Sequence, residues 1–297
     1  MNIILIYIIH LHIFIDFSQA FDTVNRDVIY NSLIKHNVPD KLIKLIKLTM
    51  ERTKMKLKVN NDYSEWFETK TGVRQGDPLS ALLFSVVLDS VITNLEVQGI
   101  ITTRLKQICA SADDIAIIGK TKQILTVTFC KLRHEALNAG LVVNNNKTKY
   151  LRCTRKPIQP TYIDTGEEQF EEVNSFKYLG AMVNTDNSIE EEIKERISAG
   201  NRAYRVHKKL FKSKLISRNV KLQLYNTLIR PTVTYASETW VLKANIINKL
   251  MIFERRIMRK IFGPTRSEDV YWRIKTNQEI NDVLKGQNIF GFIKNKD

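Results

Sequence analysis

Cysteine is scarce in this chain: Cys109, Cys130 and Cys153 are the only three among 297 residues. An odd number without metal-ligand spacing argues for a reducing compartment and against a disulfide framework. No Cys-His cluster is present to hold zinc, and the five histidines are scattered. His10 and His12 flank Leu11 and read as incidental. A long apolar run is also lacking. The most apolar stretch, Ile3 to Ile15, falls short of the roughly 20 residues that a membrane span needs, and His10 and His12 interrupt it. The expectation is no membrane association and an intracellular protein. Internal repeats and low-complexity segments are absent.

Acidic residues are in deficit. Against 46 Lys and Arg stand 31 Asp and Glu, a net charge of +15 with a pI near 9.6. Such an excess implies a polyanionic partner. The excess is also clustered: between Asn201 and Arg230 there are nine Lys and Arg and no acid. Ordinary helix surfaces mix both signs. This run, with Lys208, Lys209, Lys212 and Lys214 at its centre, is expected to bind nucleic acid. At 43% hydrophobic residues the chain can bury a normal core and is not disordered, and its length suggests about two domains.

What the chain does carry is a pair of adjacent aspartates, Asp113 and Asp114, inside an apolar stretch. Ile108 to Ala112 precede them and Ile115 to Gly119 follow, so the pair reads as the turn of a hairpin between buried strands. Buried neighbouring carboxylates cost several kcal/mol each, to order of magnitude, unless neutralised. A divalent cation would do this, and hard oxygens suit Mg²⁺. A solvated Asp-Asp turn is the plainer alternative. Asp16 follows Ile13-Phe14-Ile15, where a strand ends and a helix begins. Between these lies Gly72-Val73-Arg74-Gln75-Gly76-Asp77-Pro78, in which Asp77 and Pro78 form a helix start. Gly72 and Gly76 leave the preceding loop free to approach a ligand closely.

Asp16 to Asp22, Arg74 to Ser80 and Ala112-Asp113-Asp114 resemble three ordered motifs of reverse transcriptases, above all those of non-LTR (LINE-type) retrotransposons. Gly140 to Asn144 with Lys147-Thr148-Lys149 resembles the fourth palm motif. Phe176-Lys177-Tyr178-Leu179-Gly180 resembles the primer-grip turn. Leu224-Tyr225 through Trp240 is similar to the helical segment that follows. The likeness covers roughly residues 12 to 262. Two departures are visible: Ser111 stands where the family has an aromatic residue, and the family's fingers strands and amino-terminal endonuclease lie upstream of the matching segment. The resemblance thus implies the carboxy-terminal part of such a protein, lacking fingers and endonuclease and weakly active or inactive alone.

The resemblance also implies roles. Asp16, Asp113 and Asp114 would be catalytic and hold two Mg²⁺ ions, with Mn²⁺ as a substitute, and Lys147 would assist departure of pyrophosphate as an acid. Phe17 would add a backbone carbonyl, and Phe21 would lie beneath the incoming sugar and select deoxynucleotides. Gln75 and Gly76 would contact nucleotide and template, and Arg74 a phosphate. Tyr178, Leu179 and Gly180 would position the primer end. Asp22 is left outside the metal site. The partners implied are an RNA template, a DNA primer and deoxynucleoside triphosphates. One rival is a non-catalytic nucleic-acid-binding remnant of such an enzyme. A second is a secreted protein whose leader, Ile3 to Ile15, is cut near Ser18-Gln19-Ala20; no basic stretch precedes that leader.

The expected fold is α/β (α+β): a palm-like sheet with packed helices over residues 1–187, a helical thumb-like domain over 188–262, and a carboxy-terminal tail over 263–297. Helices are expected at 25–35, 40–52, 78–95 and 121–138. Leu42, Ile46 and Met50 should share one face of the second. Lys54 to Val59 alternates perfectly, as a half-buried strand does, with Trp66 to Thr71 as its partner. Ser188 should cap a further helix whose Glu190, Glu191 and Glu192 suit its positive end.

Overall fold

The computed structural model describes residues 10–51, 53–95, 106–154, 161–266 and 271–295. The expected strand residues 3–9 and Arg52 lie outside these. The chain divides into two compact units, 1–187 and 188–297. Among the described residues no helix is long and apolar enough to cross a membrane.

The first unit opens with β1 (His10–Ile15) and β2 (Phe17–Ser18), then α1 (Ala20–Thr23), α2 (Arg26–Lys35) and α3 (Asp40–Met50). Asn25 caps α2 by accepting from the Asp27 amide. Short strands β3 (Thr53–Met55), β4 (Lys58–Val59), β5 (Asp62–Tyr63) and β6 (Phe67–Thr69) follow, then α4 (Pro78–Thr93), capped by Asp77. After it come β7 (Lys106–Ser111), β8 (Asp114–Gly119), α5 (Lys122–Asn138), β9 (Val142–Val143) and β10 (Lys149–Cys153). The hairpins β11 (Tyr162–Asp164) with β12 (Gln169–Glu171), and β13 (Ser175–Tyr178) with β14 (Ala181–Asn184), complete the unit.

The central sheet has the order β10-β1-β8-β7 and is antiparallel throughout. β1 and β8 occupy its middle, paired on both sides. Their residues Ile13, Ile15, Ile115 and Ile117 are fully or nearly fully buried beneath α4 and α5 residues such as Phe84, Val87, Leu125 and Phe129. A strand covered on both faces must be apolar throughout, and this is why Ile13-Phe14-Ile15 and Ile115-Ala116-Ile117 are uninterrupted. His10 and His12 are the exceptions in β1. The His12 ring stacks on Phe14, and burial pushes its pKa down to about 4, so it stays neutral.

Two local expectations are corrected. Lys54 to Val59 is not one half-buried strand. It forms two short pairs, β3 with β6 and β4 with β5, and Met55, Leu57 and Val59 are all exposed. Alternation gave each side chain a face, but among the described residues nothing in this unit covers the apolar one. In α3 the buried residues are Ile43 and Met50, with Ile46 partly buried, while Leu42 is exposed.

The second unit is helical: α6 (Glu190–Val206), α7 (Lys208–Lys212), α8 (Arg218–Leu224), α9 (Arg230–Val233), α10 (Ala244–Phe262), α11 (Asn277–Val283) and α12 (Ile289–Lys294), with the short pair β15 (Thr265–Arg266) and β16 (Trp272–Arg273). A π-helical turn, Tyr225–Ile229, joins α8 to α9. Residues beyond 263 are not a separate tail. Ile280, Leu284, Ile289 and Ile293 are buried in the same core as Phe253, Ile257 and Ile261 of α10.

At the centre of that core lies a buried ion pair. Arg230 Nη2 donates to Glu254 Oε1 at 3.2 Å and to the Gln287 carbonyl at 2.7 Å. The Tyr225 hydroxyl and the Ile289 amide donate to the same carboxylate, each at 2.8 Å. Arg230 is therefore structural, a correction to its place in the expected nucleic-acid-binding run. Replacing Arg230 by Met strands the Glu254 charge and should cost the second unit about 3–5 kcal/mol; replacing both partners by apolar residues should cost less. Denaturant unfolding of the two variants beside the unsubstituted chain measures this, and a double variant at least as unstable as the single one would refute it.

Candidate active site

The pairing of β1 with β8 fixes the site. Ile15 stands opposite Ile115, so the next residue out on each strand, Asp16 and Asp114, face each other across the sheet end. Facing residues have Cβ atoms about 4.5–5.5 Å apart and point to the same side. Asp114 also pairs with Ser111 across β7, leaving Ala112 and Asp113 as the two-residue turn. Ala112 takes a left-handed φ of 52°, a conformation that costs a non-glycine residue about 1–2 kcal/mol. The strands on both sides hold that turn in place.

A cleft at this sheet end is lined by Phe14, Asp16, Asp114, Asn146, Lys147 and Tyr178, among others. Burial, then the charges of Asp113 and Asp16, push the Asp114 pKa up, and Lys147 pulls it down. Lys147 Nζ lies 3.0 Å from Asp16 Oδ2. That oxygen is buried and accepts no well-directed hydrogen bond, so the ammonium approaches it as a charge and not as an aligned donor. Lys147 is held by a turn built on Asn144. Its amide donates to both the backbone and side-chain oxygens of Asn144. The Asn144 amide donates in turn to the Asp16 carbonyl at 2.8 Å. Sequence reasoning placed Asn144 in a motif but missed this role; the Asn144-Asn145-Asn146 run was the available signal.

The carboxylates fit a hard divalent cation: two face each other and one of their oxygens is buried without a donor. Among the described residues, however, no three His, Cys, Asp or Glu side chains are already drawn together as a metal cage. Asp16 and Asp114 are the pair brought to the cleft, while Asp113 sits beside them in the turn and is not part of its lining.

The remaining predicted residues fall into two groups. Tyr178 reaches the cleft: its hydroxyl donates to the Cys109 carbonyl at 3.2 Å, its ring packs on Phe14, and burial pushes its pKa up to about 12. Leu179 and Gly180 form the tight turn that follows, with φ of 47° and 80°, as a two-residue hairpin turn requires. Phe21, Arg74, Gln75 and Gly76 lie apart from the cleft lining. Phe21, half-buried, stacks on Phe84 at 4.8 Å. The loop that carries Gln75 is zipped to it: the Val73 amide donates to the Phe21 carbonyl at 2.7 Å, and Gln75 Nε2 lies 3.5 Å from Asp22 Oδ1. A Cβ on Gly72 would fall 2.4 Å from the Asp22 carbonyl oxygen, so only glycine permits this approach. Arg74, Gln75 and Gly76 are exposed, and Phe17 is buried with its backbone paired to Val143.

In the second unit Lys208, Lys209, Lys212 and Lys214 are all exposed, with Arg202, Arg205 and Arg218. This unit holds 23 Lys and Arg against 11 Asp and Glu, so most of the net +15 resides there.

A sheet end that carries Asp16 and Asp114 beside the Ala112-Asp113 turn is the arrangement that the motif resemblance implies. Residues 9–183 match the family model described as "Reverse transcriptase (RNA-dependent DNA polymerase)", and the chain belongs to this family. It is a reverse transcriptase domain of the non-LTR, LINE-type kind. The chain is 28% identical to the Pol polyprotein of the type-2 retrotransposable element R2DM of Drosophila melanogaster, over 56% of this chain and 17% of the relative. Against the R2 polyprotein of Nasonia vitripennis it is 28% identical, over 60% and 19%. The RNA-directed DNA polymerase of the Drosophila mobile element jockey matches at 22%, over 84% and 28%. The chain thus spans less than a fifth of the first two relatives. Among solved structures, apo telomerase from Candida tropicalis aligns with a TM-score of 0.48 at 15% identity, covering 85% of this chain and 46% of that one. Reverse transcriptases normally use divalent metal ions.

The raised pKa of Asp114 has a testable consequence. A carboxyl whose pKa is higher folded than unfolded favours folding while protonated; the penalty appears as pH rises through the ordinary carboxylate range and is complete above the raised folded value. In chelator, Asp114→Asn should therefore stabilise the first unit near pH 7 and not near pH 3. Thermal unfolding of both proteins across that range reads it, and a difference independent of pH would show that the ionised Asp114 carboxylate is not the cause.

Proposed function

We propose that the cleft is the catalytic centre of an RNA-directed DNA polymerase, with residues 1–187 as palm and the helical unit as thumb. The observation that carries this reading is that Asp16 and Asp114 line one cleft beside the Asp113 turn, with a buried Asp16 oxygen lacking a hydrogen bond. Two Mg²⁺ ions, or Mn²⁺ in their place, held by Asp16, Asp113 and Asp114 would supply charge stabilisation and an activated primer hydroxyl. The chain's own residues would do the rest. Tyr178 and the Leu179-Gly180 turn would orient the primer end, and Phe17 would offer its carbonyl. Phe21 would pack beneath the deoxyribose and exclude a 2′-hydroxyl, a role favoured by its firm seat on Phe84. Gln75 and Gly76 would meet nucleotide and template, with Arg74 at a phosphate. Lys147 would give a proton to the departing pyrophosphate oxygen. The substrates are deoxynucleoside triphosphates on a DNA primer paired to an RNA template.

Primer extension on an RNA template tests the reading. We expect slow Mg²⁺-dependent extension that is lost in Asp16→Asn and in Asp113→Asn. Extension surviving both substitutions would place the chemistry elsewhere.

The basic surface of the second unit would track a phosphate backbone. Each phosphate neutralised releases counterions, so the affinity should fall steeply with salt, with a log–log slope of about 0.7–0.9 per contact. Replacing Lys208, Lys209, Lys212 and Lys214 by Gln should weaken binding to all sequences alike and flatten that slope by up to about 3. Fluorescence anisotropy over a salt series measures it, and an unchanged slope would exclude this face.

A further inference from the structure

We propose that Lys147 is the resident counter-ion of the carboxylate cleft, and that a divalent cation takes its place at Asp16 only by displacing the ammonium. The proposal rests on the polymerase reading of this cleft and adds an order of events to it.

The geometry is specific. Lys147 Nζ lies 3.0 Å from Asp16 Oδ2, the one buried oxygen of the cleft that takes no hydrogen bond. Asp16, Asp113 and Asp114 put three formal negative charges at one sheet end, and of the two lysines lining the cleft, Lys147 and Lys149, it is Lys147 that pairs with Asp16 and lowers the pKa of Asp114. Its placement is built into the backbone. The Asn144 turn binds the Lys147 amide on one side and the Asp16 carbonyl on the other, so the ion pair survives small movements of the loop.

The two partners differ in their freedom to leave. The Asp16 side chain is 20% exposed and that of Lys147 is 66% exposed. The carboxylate is fixed at a strand end, whereas the ammonium sits on a flexible four-carbon stem with water close by. A Mg²⁺ or Mn²⁺ ion binds a carboxylate oxygen at about 2.1 Å and demands a near-octahedral shell. It cannot share Asp16 Oδ2 with an ammonium in its present position, and two cations that close repel. Entry of the ion therefore expels Lys147 from Asp16. The same movement frees its ammonium to serve the leaving group. In the metal-free state the Lys147 ammonium is tied to Asp16, and loading the ion releases it.

Mn²⁺ binding to the full 297-residue chain, followed by the electron paramagnetic resonance of free Mn²⁺, tests the exchange without any turnover. Lys147→Met should bind Mn²⁺ about two- to fivefold more tightly than the unsubstituted chain, the range an ion pair at a partly exposed site can supply. Lys147→Arg should resemble the unsubstituted chain, and Asp16→Asn should lose the site. Mn²⁺ should also raise the unfolding temperature of Lys147→Met more than that of the parent. In the parent itself, acylation of Lys147 read by mass spectrometry should quicken when Mn²⁺ is added, a measurement that needs no variant to fold. Equal or weaker Mn²⁺ binding by Lys147→Met, or unchanged acylation, would overturn the exchange while leaving the metal site standing. Absence of Mn²⁺ binding in both the parent and Lys147→Met at millimolar concentrations would overturn the metal site and the exchange together.

Discussion

The first unit depends on one pairing. The register that sets Ile15 opposite Ile115 sets Asp16 opposite Asp114, and a slip of one residue would turn every side chain of β1 to the other face. The apolar residues prevent the slip, since Ile13, Ile15, Ile115 and Ile117 are buried where a shifted strand would bury other side chains. Hydrophobic burial thus fixes the distance between two groups that repel. The carboxylates contribute nothing to holding the sheet together, and the pKa of Asp114 moves in the direction that repulsion and desolvation demand. The strained Ala112 belongs to the same economy: a left-handed alanine persists because strands on both sides over-determine the turn.

The second unit solves a different electrostatic problem. It carries a large positive excess on its surface yet buries an opposed pair, Arg230 and Glu254, with the Tyr225 hydroxyl and the Ile289 amide also donating to the carboxylate. Arg230 also packs against the rings of Tyr225 and Phe292, so its guanidinium is part of the core packing as well as of the ion pair. The neighbouring lysines do the opposite and remain in water. One sequence run therefore holds two kinds of positive charge: those that specify the helix arrangement and those left available to a polyanion.

This division marks where sequence reasoning reaches its limit. The acid-free run was legible because composition reports charge, but composition does not report burial, and Arg230 looked like its neighbours. The central strands were legible because double coverage leaves an uninterrupted apolar signature. Helices with caps were legible to within two residues, as Asn25, Asp77 and Thr121 each accept from the first turn. The Lys54 to Val59 segment misled because alternation states that two faces differ and not that either is covered. In α3 the face was misjudged for a related reason: Leu42, Ile43, Leu45 and Ile46 are all apolar, so periodicity alone cannot choose which stripe meets the core. Residues 277–294 were missed because two short helices give little periodic signal, although their apolar side chains complete the core beside α10.

Of the site itself, the acids were legible as residue types and their convergence through the motif resemblance, but the strand register that produces it was not. Asp16 and Asp114 are 98 positions apart, and only the antiparallel pairing of two apolar strands brings them together. The Asn144 turn was hidden for the same reason, since its value lies in bonding to Asp16 and not in any local pattern. The side chains that perform chemistry in such a cleft are therefore positioned by groups that perform none. Ile15 and Ile115 set the spacing, Asn144 sets the approach of Lys147, and Tyr178 ties the neighbouring hairpin to β7 through a backbone carbonyl. A mutation among these would leave each motif intact to the eye while moving the charges apart. That is the physical reason why recognisable motifs establish ancestry more firmly than they establish activity.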